Sequence, residues 1–90
     1  MTSSKYFEET LFNAIVIASR LVMGEEKAKV LLEISLELIK LTLKNERPDI
    51  GLNLCKAMER LLDRFHLDSQ EISYCFGMCH FNQVRLIEQH

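Results

Sequence analysis

Apolar residues recur every three or four positions along almost the whole chain, and no stretch alternates with period two for long enough to suggest a strand. That spacing predicts an all-α protein. Three breaks divide the pattern into four helices joined as antiparallel hairpins, either a small bundle or a tetratricopeptide-like helical array. The first helix is expected from about Ser4 to Met23, with Ser3 or Ser4 as its cap and Gly24 as the left-handed residue that ends it. Phe7, Leu11, Ala14, Ile15, Ala18, Leu21 and Val22 form one stripe, and Phe12, Val16 and Met23 another, so this helix calls for neighbours on both sides. The second, about Glu25 to Leu43, carries a polar row of Glu26, Lys29, Glu33, Glu37, Lys40 and Lys44, in which Lys29 with Glu33 and Glu37 with Lys40 are spaced to pair. Nearly everything else on it is aliphatic, which predicts a central position with one wet edge.

Residues 44–47 read as a turn, and Pro48 as the first residue of the third helix, where its missing N–H would have had no partner anyway. Gly51, Leu54, Cys55, Met58, Leu61, Leu62 and Phe65 then face away from Asn53, Lys56, Glu59, Arg60, Asp63 and Arg64. For the fourth helix, Asp68 as N-cap and Glu71 complete a capping box, Leu67 and Ile72 a hydrophobic staple, and the helix runs to about Gln89.

At 90 residues the chain is one small domain, 1–90, and 48% hydrophobic residues with three Gly and one Pro set it apart from disordered sequences. A net charge of −2, scattered along the chain, offers no basic block to release counterions from nucleic acid. Three cysteines, an odd number, point to a reducing compartment. The longest apolar stretch, Ala14 to Met23, is interrupted by Ser19 and Arg20, too short for a bilayer, and lacks a basic flank. A cytoplasmic protein that neither binds nucleic acid nor enters a membrane is expected.

Cys75 and Cys79 share a helix face, and with His80 or His66 they are the one arrangement that hints at a metal or at redox chemistry. Small buried cysteines are common in helical cores, and packing is the expected role. No nucleophile is placed by a base and an orienting group, and glycine-rich phosphate loops are absent, so neither catalysis nor a cofactor is expected. More informative is the fourth helix, where Ile72, Cys75, Phe76, Cys79, Gln83 and Ile87 form one stripe and Tyr74, Met78, Phe81 and Arg85 another. A wrapped core would use both stripes. Aromatic residues, Met and Arg are also the types enriched at interface centres, and apolar residues on several faces of the first two helices make a covering partner or a second copy the expectation.

The run Leu38, Ile39, Thr42, Asn45, Glu46, Arg47, Pro48, Asp49, Gly51, Cys55, Met58 resembles one tetratricopeptide repeat, with Gly51 at its small helix-contact position. Tyr74, Phe76, Gly77 and His80 resemble the opening of the next, with Gly77 at its glycine. The likeness covers about half of the chain, with the second helix about one turn longer than the family's and no complete second repeat. It implies kinship with the small chaperones of type III secretion needle subunits, which pair with a helical co-chaperone and hold an aggregation-prone helical client. On that resemblance the groove would be lined by Phe76, His80 and Phe81, with Leu38, Ile39 and Thr42 opposite. The alternative is a small helical regulator or inhibitor, such as a phage protein, an immunity protein or a transcriptional modulator.

Overall fold

A computed structural model describes the backbone of residues 2–88 and side chains from Glu9 onward. Four helices follow one another, α1 (Thr2–Leu21), α2 (Glu25–Lys44), α3 (Pro48–Phe65) and α4 (Gln70–Glu88), and the described residues include no strand. Phe7, the expected Ser3 or Ser4 caps and the terminal residues Gln89 and His90 lie outside the described side chains, although Ser3 and Ser4 fall within α1 and not ahead of it.

The centre of the fold is α3, not α2. Its buried residues, Pro48, Gly51, Leu52, Leu54, Cys55, Ala57, Met58, Leu61 and Leu62, cover most of its circumference, whereas α2 buries only Ala28, Ser35, Ile39 and Thr42. α3 packs against all three other helices, α2 also meets α4, α1 touches α2 only lightly, and among the described residues α1 and α4 do not meet. Side-chain size explains the exchange of roles, because helix axes approach to 8–10 Å only where the facing residues allow it. α3 offers Gly51 and Cys55 one turn apart on one side and Ala57 on another, so it can be approached from several directions. α2 has its small residues, Ala28, Ser35 and Thr42, in a single row, and Val30, Ile34 and Leu41 stay outside.

Gly51 shows how tight the centre is. A Cβ there would collide with Thr42 Oγ1 of α2 and lie 3.0 Å from Cys79 Sγ of α4, so three helices converge on a residue without a side chain. Thr42 spends its hydroxyl on the Ile39 carbonyl at 2.6 Å, and Ser19 does the same to Val16 at 2.6 Å. Ser35 Oγ, fully buried, has no partner.

The helix ends are built differently from the sequence expectation. α1 stops at Leu21, and the Arg64 guanidinium of α3 donates to its last carbonyls, Nη2 to Ser19 O at 2.7 Å and Val22 O at 3.1 Å, Nη1 to Arg20 O at 3.3 Å. Gly24, at φ 104°, instead precedes α2. α2 and α3 close alike, on a left-handed Glu46 or His66 whose following N–H returns to Thr42 O or Leu62 O at 2.8 Å. The N-cap of α4 is Ser69, not Asp68: its Oγ accepts from Ile72 N–H at 3.2 Å and the helix begins at Gln70.

α1 buries parts of both stripes. Phe12, Ile15 and Ser19 are buried and Val16 and Val22 partly so, whereas Leu11, Ala14, Ala18 and Leu21 of the longer stripe and Met23 of the shorter are exposed. Arg47 helps to fix that rotation, binding Glu9 at 3.2 Å and gripping both oxygens of Asp49 at 3.3 Å. Of the pairs expected on α2, Glu37 with Lys40 forms at 3.9 Å, but Lys29 turns back to Glu25 at 3.8 Å.

Candidate partner-binding surfaces

Two apolar surfaces remain open. The first is a cleft between α1 and α2, which diverge from the short connection at Val22–Gly24 while both lean on α3. Ala18, Leu21, Val22, Val30, Leu31 and Ile34 line a shallow, open hollow of about 380 Å³, with Lys27 also on its lining. Leu21 is 72% exposed and Ile34 48%. The apolar strip continues along the two helices through Ala14 and Leu11 on one side and Leu41 on the other. A smaller hollow of about 230 Å³ between α1 and α3 contains Glu9, Arg47 and Asp49. Partial burial pushes the Asp49 carboxyl up, but the Arg47 hydrogen bonds and charge, with backbone N–H donors, outweigh it and hold Asp49 below its ordinary value. Those charges satisfy one another.

The second surface is the outer face of α4. Tyr74 is 69% exposed and Phe81 61%, with Val84 and Arg85 beside them and Met78 half-buried at the edge. Gly77 lies in the middle of this face, and a Cβ there would meet nothing within 4 Å. It therefore makes no helix contact inside the chain, unlike Gly51. Phe76 leans inward against the core and stacks on exposed His80, ring centroids 4.7 Å apart at 48°.

The expected groove between α2 and α4 loses two of its α2 residues to the interior. Ile39 is fully buried and Thr42 nearly so, with Leu38 half-buried against the core. Thr42 sits at the α2–α3–α4 junction beside Gly51. The expected α4 stripe divides similarly: Ile72, Cys75 and Cys79 are buried, Gln83 is half-buried and Ile87 is exposed.

The cysteines all lie inside. Cys55 of α3 hydrogen-bonds Cys79 of α4, which with burial pushes the Cys55 thiol far up, while the same bond lowers Cys79 against its own burial, and burial raises Cys75. Cys55 and Cys75, held protonated in this way, are poor nucleophiles and poor ligands. His66 and His80 are exposed, and no group of three metal-ligating side chains gathers among the described residues.

The whole molecule carries more surface than its mass requires. Its 6366 Å² exceeds by roughly 900 Å² the about 5,400 Å² expected of a compact monomer of 10.5 kDa. Its radius of gyration is 13.2 Å, against about 12 Å for a typical domain of this length. No helix among the described residues is long and apolar enough to cross a membrane. No protein-family model, curated protein or solved structure matches this chain.

Proposed function

We propose that this chain is a non-enzymatic protein-binding module that accepts an amphipathic helix of a partner in the α1–α2 cleft. What supports the reading is the cleft itself, two helices that share a core neighbour yet turn exposed leucine, valine and isoleucine side chains toward each other. A third helix laid between them would exchange that exposure for burial at about 25 cal/mol per Å². In its most concrete form the module is a cytoplasmic chaperone that keeps a polymerisation-prone helical client, of the type III secretion needle type, from assembling early. The tetratricopeptide resemblance supplies that client. The cleft supplies a place for it that differs from the one the resemblance implied.

The test is a titration of a fluorescein-labelled amphipathic helical peptide, leucine on one face and Lys and Glu on the other, followed by anisotropy. Leu21→Glu and Ile34→Glu, both on exposed positions, should each weaken binding about tenfold by leaving a charge in an apolar contact. Equal affinity in the wild type and both variants would remove the cleft from consideration.

A further inference from the structure

The geometry points to the outer face of α4 as a self-association surface, on which a second copy of this chain packs its own α4 antiparallel about a two-fold axis. The face follows from residue spacing. Tyr74, Gly77, Phe81, Val84 and Glu88 are separated by three, four, three and four residues, the alternation that keeps one seam of a helix turned toward a neighbouring helix. Tyr74, Phe81 and Val84 are exposed, and the opposite side of α4 is committed to α3 through Ile72, Cys75 and Cys79. α4 is also free of α1, so its outer side faces no other part of the described chain.

Gly77 is the residue that the monomer leaves unexplained. Mid-helix glycine is unfavourable relative to alanine, and here it adopts no positive φ and makes no close contact that would require it. A helix running antiparallel supplies the reason. When the seams are brought together in that direction, Phe81 of each copy comes over Gly77 of the other, and Tyr74 of each meets Val84 of the other. Each large ring then has a small or slender residue to receive it, twice over. Parallel pairing would set glycine against glycine and ring against ring, leaving a void beside a clash.

The flanking charges select the same direction. Glu71, Met78 and Arg85 run along one margin of the seam, and all three are spaced by seven. In the antiparallel arrangement Glu71 of one copy lies opposite Arg85 of the other, and the reciprocal pair forms at the far end with Met78 near the axis. Residues flanking a helical seam commonly set partner and orientation in this way. An isologous contact of this kind closes on itself and does not propagate into fibres. The surface lies apart from the α1–α2 cleft, so a dimer would present two clefts, and the inference stands whether or not a client helix binds there.

Sedimentation velocity over a concentration series, with circular dichroism on each variant, decides it. The wild type should sediment as a species of twice the 10.5 kDa protomer mass at tens of micromolar. Gly77→Leu improves helix propensity, so it should keep the helical signal while weakening the dimer at least tenfold by filling the site of Phe81. Glu71→Arg and Arg85→Glu should each weaken it about fivefold, since each sets like charges together at both ends, and the double exchange should restore wild-type association. A wild type that stays monomeric to 200 µM, in wide excess of the range named, or a dimer strengthened by Gly77→Leu, would overturn the inference. So would a dimer broken by Ile34→Glu but indifferent to the α4 variants, which would place the second copy in the cleft.

Discussion

Single residues decide more of this fold than their size suggests, and Gly51 is the clearest instance. Its missing side chain lets Thr42 and Cys79 come together over the α3 backbone, with Thr42 tied to the Ile39 carbonyl and Cys79 to Cys55. Gly51→Ala would gain helix propensity of about 1 kcal/mol, yet it inserts a methyl group into a junction without room. Overpacking of this kind costs about 1–3 kcal/mol, so a net loss in the urea midpoint is expected, and a stabilised variant would show that α2 can move aside. His66 is the reverse case. It sits at φ 55° as the left-handed residue closing α3, a conformation that costs an L-residue with a Cβ but not glycine. His66→Gly should raise stability by about 0.5–1 kcal/mol in the same measurement, the gain tempered by the more flexible unfolded chain.

At the scale of elements, periodicity made the four helices legible, and Pro48 marked the start of α3 to the residue. What stayed hidden was which stripe of each helix would face inward. α1 offers two apolar stripes, and the buried face lies between them, taking Phe12 and Val16 from one and Ile15 from the other, while Glu9 on the same side reaches Arg47, a partner 38 residues away. The end of α2 was legible to within one residue, but the way the ends close was not: the left-handed closing position is usually glycine, and here α2 and α3 use Glu46 and His66. α1 ends on an arginine contributed from another helix, a long-range pairing that no local pattern announces. Arg64 has a polar-face position in the sequence, where it reads as a solvated charge. In the structure it neutralises three carbonyls and the negative end of the α1 dipole. Arg64→Ala should therefore cost about 1–2 kcal/mol and release the last turn of α1, seen as faster amide exchange at residues 18–22. Arg64→Lys should recover only part of the loss, because one ammonium cannot hold the geometry of the planar fork. Full rescue by lysine would mean that charge alone caps the helix.

For the molecule as a whole, the question is whether its apolar residues form one core or a core plus surfaces intended for another chain. The 48% share of hydrophobic residues was visible from composition, but its distribution was not, since α2 looked like the buried helix and α3 turned out to be. Within α2 the two populations stand five residues apart. Ile39 is fully buried at the α2–α3–α4 junction, whereas Ile34 is half open on the cleft. Truncating the first removes packing and leaves a cavity, so Ile39→Ala should cost about 2–5 kcal/mol in denaturant unfolding. Charging the second removes only the half of the side chain that the fold buries, so Ile34→Glu should cost about 1 kcal/mol, well short of the Ile39→Ala loss. Alternatives separate cleanly on this comparison. If Ile34→Glu proves as damaging as Ile39→Ala, the cleft is closed in solution by α1 swinging onto α2, and both isoleucines belong to a single core. If it is mild for folding and harmful to helix binding, the open half of the isoleucine serves a contact outside the chain.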